Sequence, residues 1–132
     1  MIDFVGIRGQ KLQAALLYPG DYEEGKRYPL IVRVYPGPFK MANSVNGFGL
    51  DGGTGIQNMQ MYASRGYAVL MPEVPQELGT PMRDLVEGVN AAVNKVIEMG
   101  VADPERLGVT GQSYGGYSSS YTGRTMTACP FT

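Results

Sequence analysis

The stretch LGVTGQSYGGY, residues 107–117, decides the fold that we predict for this chain of 132 residues. It opens with a short apolar run that is typical of a buried strand. The Gly-x-Ser-x-Gly motif at residues 111–115 is typical of a nucleophile elbow, a tight strand-to-helix turn that lifts a serine hydroxyl clear of a parallel sheet. Such a turn strains the serine backbone. It also crowds the positions two residues to either side, so both need glycine.

Ser113 is the candidate nucleophile of this elbow, and Gly111, Gly115 and the additional Gly116 are its glycines. The helix that follows would point its positive N-terminal end at the place where negative charge develops. A plain glycine-rich turn is the alternative, because the chain has 19 glycines and the motif is short. The order of the elements upstream favours the elbow.

Strand-like and helical segments alternate along the rest of the chain. Residues 3–8, 11–18, 30–34 and 67–71 have strand patterns, residues 56–65 and 81–99 have helical ones, and turns or loops are expected at 19–27, 35–55 and 102–106. Strands that alternate with helices form largely parallel sheets. We therefore predict an α/β fold like that of the α/β-hydrolases, a mostly parallel sheet with flanking helices that begins with an antiparallel pair.

The segment at 81–99 is the clearest element. Thr80 is expected to cap this helix, Pro81 suits its first position and Gly100 fits just past its end. One face is apolar and the other polar: Met82, Leu85, Val86, Val89, Ala92, Val93, Val96 and Ile97 against Arg83, Glu87, Asn90, Asn94 and Glu98. A helix of this kind covers one face of a sheet.

The composition excludes several kinds of partner and site. A net charge of −1 gives no electrostatic reason to bind nucleic acid or an anionic membrane. No apolar run has the length of a membrane span, and the N-terminus lacks the pattern of a signal peptide. We therefore expect a cytoplasmic protein. The one cysteine, Cys129, permits no internal disulfide, and we expect no cofactor and no metal.

Three segments, LIVRVYPGPFK (30–40), YASRGYAVLMP (62–72) and ADPERLGVTGQSYGGY (102–117), resemble the catalytic domain of prolyl oligopeptidase family serine peptidases. The resemblance covers roughly residues 1–118. It implies a peptide substrate, with Ser113 as nucleophile. It also implies that the backbone N–H of Tyr114 and the hydroxyl of Tyr35 donate to the oxyanion. The alternative for Tyr35 is a strand-end tyrosine that only packs its ring.

The sequence departs from this family where the proton acceptor is expected. A hydrolase of this fold places its acid and then its histidine after the serine, but this chain has no histidine at all. Residues 118–132 also lack apolar periodicity, and we expect Gly123 and Pro130 to interrupt any helix there. The sequence thus predicts a partial α/β-hydrolase domain at 1–118, truncated after the elbow, and an atypical tail at 119–132.

Several functions stay open at this point. The first is a serine peptidase that acts through an acyl-enzyme, of which this chain is an incomplete and inactive fragment. An esterase of the same fold is a second. A third is a non-catalytic remnant or association module, which could self-associate through an open sheet edge. A serine–lysine dyad with Lys11, Lys26, Lys40 or Lys95 has no motif in its support.

Overall fold

The structure is a computed structural model, and it describes residues 1–37 and 58–126. Its elements in chain order are β1 (Ile2–Val5), β2 (Lys11–Leu17), β3 (Tyr28–Arg33), α1 (Met59–Ala63), β4 (Ala68–Pro72), α2 (Pro81–Glu98), β5 (Ala102–Thr110) and α3 (Tyr114–Met126). Most of the predicted loop at 35–55, with Lys40, lies outside the described residues, as do Cys129 and Pro130. Within the described ranges, no helix has the length and apolarity to cross a bilayer.

The strands form one five-stranded sheet in the order β1-β2-β4-β3-β5. β2 runs antiparallel to both of its neighbours, whereas β4, β3 and β5 are parallel. This arrangement confirms the predicted α/β class and its initial antiparallel pair. The residues that follow β3, β4 and β5 therefore meet at one border of the sheet, which we call the carboxyl edge. The β1–β2 turn lies there too, because Ala14 of β2 is opposite Pro72 at the end of β4.

Helix α2 covers one face of the sheet, as predicted. Its residues Leu85, Val89, Ala92, Val93 and Val96 are fully buried and pack with Leu30, Val32 and Leu70 of the strands. Val69, which neighbours Leu70 in β4, instead packs with Met59 and Ala63 of α1 on the opposite face. β4 is thus buried on both faces, as parallel strands between helices are. Burial of each of these valine, leucine and methionine side chains contributes about 1.5–3 kcal/mol before entropy is subtracted.

Helix α2 begins at Pro81 directly after Thr80, as predicted, but the side-chain cap of α2 and the start of α1 differ from the prediction. Thr80 does not cap α2 with its side chain, because its hydroxyl donates to the carboxylate of Asp84 at 3.2 Å. Helix α1 spans fewer residues than the predicted 56–65, of which residues 56 and 57 lie outside the described part of the chain. It begins after Asn58, whose side chain accepts a hydrogen bond from the N–H of Met61 at 3.3 Å. A polar side chain at that position favours a helix start over a helix interior.

The predicted turn at residues 102–106 is instead an irregular part of β5. Ala102 and Leu107 pair with positions of β3 that are only two residues apart, so the residues between them bulge from the ladder. Within the bulge, the side chain of Arg106 donates to the carboxylate of Asp103 at 2.6 Å. The strand resumes at Leu107 and leads straight into the elbow.

Helix α3 contradicts the expectation that Gly123 interrupts any helix in the tail, because it continues to Met126. The side toward the protein carries small residues: Ser118 and Thr122 are fully buried. Their hydroxyls donate to main-chain carbonyl oxygens four residues earlier, at 2.7 and 2.8 Å, so burial leaves them satisfied. Gly123 lets the helix approach β5, since a Cβ there would lie 3.3 Å from Cγ1 of Val109. The domain division at residue 118 falls within α3 and stays a prediction.

Candidate active site

Three loops meet at the carboxyl edge and form the candidate site. The first follows β3, the second follows β4, and the third joins β5 to α3. The N–H of Val34 donates to the carbonyl oxygen of Thr110 at 2.9 Å, and the N–H of Gly37 donates to that of Val74 at 3.2 Å. These bonds join the first loop to each of the other two. The carboxyl edge is also where α/β sheets bind their ligands.

Ser113 lies at the sharp bend between β5 and α3. Its φ of 56° is the only positive value for a non-glycine residue in the part of the chain that the structure describes. The N–H groups of Gly116 and Tyr117 donate to the carbonyl oxygen of Ser113, at 2.9 and 3.2 Å, so the helix begins immediately after it. Ser113 itself is exposed. A left-handed serine between a strand and a helix is the geometry of a nucleophile elbow.

The close packing around the bend explains two of the three glycines. A Cβ on Gly111 would collide with the carbonyl oxygen of Gly115, and a Cβ on Gly115 would collide with that of Val34. Both obstacles are main-chain atoms, which cannot rotate away. At Gly116 a Cβ would meet the carbonyl oxygen of Gly111 at 3.5 Å, an ordinary contact. Glycine is therefore obligatory at Gly111 and Gly115 but sterically replaceable at Gly116.

Tyr35 follows β3 and lies beside the elbow. A Cβ built on Gly115 would be 3.3 Å from Cδ2 of the Tyr35 ring, so the ring contacts the first turn of α3. Tyr35 is also 46% exposed, which leaves part of the residue open to solvent at the carboxyl edge. This ring contact is expected both for an oxyanion donor and for a tyrosine that only packs its ring, so it does not distinguish the two interpretations.

Tyr114, directly after the serine, has a side chain held from another loop. Its hydroxyl donates to Oε1 of Gln76 at 3.2 Å. Its ring is nearly parallel to that of Tyr117, with centroids 6.4 Å apart and an interplanar angle of 11°. Gln76 in turn donates through Nε2 to the carbonyl oxygen of Pro81 at 2.9 Å. Sequence reasoning missed Gln76, because no local pattern signals a contact between residues 38 positions apart.

A buried carboxylate anchors the loop that carries Gln76. Asp84 is 5% exposed and accepts hydrogen bonds from the N–H of Glu77 at 2.9 Å and from Arg8 at 2.8 Å. The bond from Glu77, together with those from Thr80 and Arg8, holds the pKa of Asp84 below its usual value. Arg8 also pairs with Glu77 at 2.6 Å. An acidic residue in the first turn of α2 was the available sequence signal for this group.

The lysines of the described residues do not support a serine–lysine dyad. Lys11 is on β2, three strand intervals from β5, which is about 14 Å of sheet. Lys26 lies 3.8 Å from Glu23 and 5.3 Å from the centroid of the Tyr28 ring. Lys95 borders β1 at the far side of the sheet.

Comparison with known proteins gives one consistent result. The model of the prolyl oligopeptidase family matches residues 54–127. Prolyl endopeptidase FAP of Homo sapiens is 33% identical over 113 residues, which cover 80% of this chain and 14% of that protein. Dipeptidyl peptidase 4 of Bos taurus is 28% identical over 130 residues, 90% of this chain and 16% of that protein. The chain thus spans less than a fifth of the length of these relatives.

Solved structures reproduce the fold. The acylaminoacyl peptidase of Pyrococcus horikoshii superimposes with a TM-score of 0.61 at 24% identity, over 91% of this chain and 20% of that one. Similarity at this level of identity establishes the shared architecture of the sheet and its helices.

Proposed function

The chain belongs to the prolyl oligopeptidase family, and from this premise we propose that Ser113 is the nucleophile of a peptide-bond hydrolysis. The observation that supports the proposal is the left-handed backbone of Ser113 at the end of β5, with glycine required on both sides by main-chain contacts. A plain glycine-rich turn has no need for a strained serine. The strain is understandable where a hydroxyl must be presented to a substrate.

The proposed reaction forms and breaks an acyl-enzyme. Oγ of Ser113 attacks the carbonyl carbon of the peptide bond while a base takes its proton, and the carbonyl oxygen becomes negatively charged. The N–H of Tyr114 and the hydroxyl of Tyr35 donate to this oxyanion, and the N-terminal end of α3 adds favourable potential. The C–N bond then breaks, the amine leaves with a proton, and water hydrolyses the ester on Ser113.

We propose that the base lies outside these 132 residues, because the chain contains no histidine. A serine hydroxyl is a weak nucleophile without a base in hydrogen-bond reach. The chain alone is then expected to hydrolyse neither peptides nor esters. In a longer protein the same elbow serves either kind of acyl substrate, so an esterase is the alternative.

A non-catalytic association role has one observation in its favour. β5 is the last strand in the order of the described sheet. A strand in that position can pair with a strand of another molecule. Concentration-dependent oligomers in analytical ultracentrifugation would support this role.

Chemical rescue tests the nucleophile without turnover. We expect a fluorophosphonate probe to label the chain slowly, and added imidazole to accelerate labelling by acting as the missing base. Peptide mapping should find the probe on Ser113, and the Ser113→Ala variant should stay unlabelled under both conditions. Equal labelling of the wild type and Ser113→Ala, or no response to imidazole, would contradict the proposal.

A further inference from the structure

We propose that Gln76 is a positioning residue for Tyr114, and that it orients the backbone N–H that the oxyanion would bind. The catalytic role of this positioning rests on the proposed function, but the contacts that hold Gln76 and Tyr114 together are observed independently of that function. Gln76 belongs to the loop between β4 and α2, whereas Tyr114 is the first residue of α3. The bond between them ties the elbow to an element that is remote in sequence.

Gln76 is suited to this role because its own position is fixed. Its Nε2 donates to the carbonyl oxygen of Pro81, the first residue of α2, at 2.9 Å. The same loop is held by the bond from Glu77 to the buried carboxylate of Asp84 at 2.9 Å. Its Oε1 is therefore presented to Tyr114 by a loop with two attachments to one helix.

Tyr114 needs such a restraint because the core does not provide it. Tyr114 is 40% exposed, and Tyr117, which stacks on its ring, is 60% exposed. The peptide unit between Ser113 and Tyr114 also follows a strained φ of 56°. Fixing the Tyr114 side chain limits the rotation of this peptide plane. A donor that is oriented before charge develops needs no reorganisation during the reaction.

Binding of phenylboronic acid measures the orientation of this donor without a base. Ser113 Oγ adds to boron and its proton passes to solvent, which gives a tetrahedral anionic boronate that stands in for the oxyanion intermediate. Gln76→Leu and Tyr114→Phe are each expected to weaken this binding about two- to fivefold, because a 3.2 Å bond is at the weak end of its class. Boron NMR follows the change from trigonal to tetrahedral.

A double-mutant cycle separates positioning from a general structural effect. If Gln76 acts through the Tyr114 hydroxyl, the combined variant should bind no more weakly than either single variant. Gln60→Leu, the same substitution at an exposed position of α1, is the matched control and should leave binding unchanged. Effects of Gln76→Leu and Tyr114→Phe that multiply in the combined variant would overturn the inference.

Nitrogen relaxation of the Tyr114 amide gives a second readout that is independent of the serine. We expect its order parameter to fall from about 0.85 toward about 0.6 in Gln76→Leu and in Tyr114→Phe, and not in Gln60→Leu. An unchanged order parameter in folded Gln76→Leu would refute the role of Gln76. Boronate binding that is absent, or equal in Ser113→Ala, would instead refute the proposed nucleophile, and the relaxation data would still decide the role of Gln76.

Discussion

Replacing Gly115 by alanine is expected to destabilise the chain strongly, although the change adds only one methyl group. The new Cβ would collide with the carbonyl oxygen of Val34, and Cδ2 of Tyr35 would be 3.3 Å away on the same side. Val34 is fully buried, and its N–H is bonded to Thr110 at 2.9 Å, so its carbonyl has no room to retreat.

The expected loss of stability depends on the kind of atom that the new Cβ meets. Overpacking a core costs about 1–3 kcal/mol when side chains can adjust. Because the obstacle is a main-chain atom, we expect Gly115→Ala to lower the free energy of unfolding by about 3 kcal/mol, the upper end of this range. For a chain of this size that corresponds to a fall in Tm of about 10 °C. The substitution should also move the elbow and abolish labelling of Ser113.

Gly116→Ala is the matched control, one residue further along the same helix. Its Cβ would make an ordinary 3.5 Å contact with the carbonyl oxygen of Gly111. Alanine also favours a helix by about 1 kcal/mol over glycine. Thermal unfolding followed by circular dichroism should therefore show Gly116→Ala at or above the wild-type Tm. Equal Tm values for Gly115→Ala and Gly116→Ala would refute the steric reasoning.

Three further predictions concern α2 and its anchor. The pKa of Asp84 is lower in the folded than in the unfolded chain, so its contribution to stability is present above the unfolded pKa of about 3.9 and is lost as pH falls through the lower folded value. Urea unfolding midpoints measured between about pH 2 and 7 should therefore depend less steeply on acid in Asp84→Asn than in the wild type. Identical slopes would contradict this prediction. Arg8→Met should lower the free energy of unfolding by about 1.5–3 kcal/mol, since it removes a charged donor from a buried carboxylate, and a loss below about 0.5 kcal/mol would contradict it. Gly88→Ala should raise the free energy of unfolding by about 1 kcal/mol, because alanine favours a helix over glycine and the added methyl would make an ordinary 3.5 Å contact with Cγ1 of Val74. A lower urea midpoint would refute this prediction.

The sequence predicted the elements whose periodicity reflects burial. Apart from the irregular first part of β5, which was predicted as a turn, the strands and α2 lie within a few residues of their expected ranges. Gly100 follows the end of α2 with the positive φ of 78° that its place past the helix suggested. Local chemistry is sufficient in these cases, because a helix face or a strand alternation is repeated several times along one segment. The bend at Ser113 was predicted because its motif occupies five consecutive residues, although the obstacle that requires glycine at Gly115 is the carbonyl oxygen of Val34 on another strand end.

The contacts that organise the candidate site could not be predicted in this way. Arg8 and Asp84 are 76 residues apart, and only the fold brings them together. Helix α3 was misjudged because apolar periodicity was taken as the requirement for a buried helix face. Ser118 and Thr122 can be buried although they are polar, because each hydroxyl donates a hydrogen bond to a main-chain carbonyl oxygen of its own helix.

The carbonyl oxygen of Val34 has a consequence for thermal motion at the site. This oxygen occupies the space that a Cβ on Gly111 or on Gly115 would need. Tyr35 is the next residue in the chain after Val34. Because the elbow packs against this carbonyl, we expect a displacement of the elbow to be transmitted to Tyr35. Ser113 and Tyr35 are expected to fluctuate in phase, so their separation should vary less with temperature than the position of either residue.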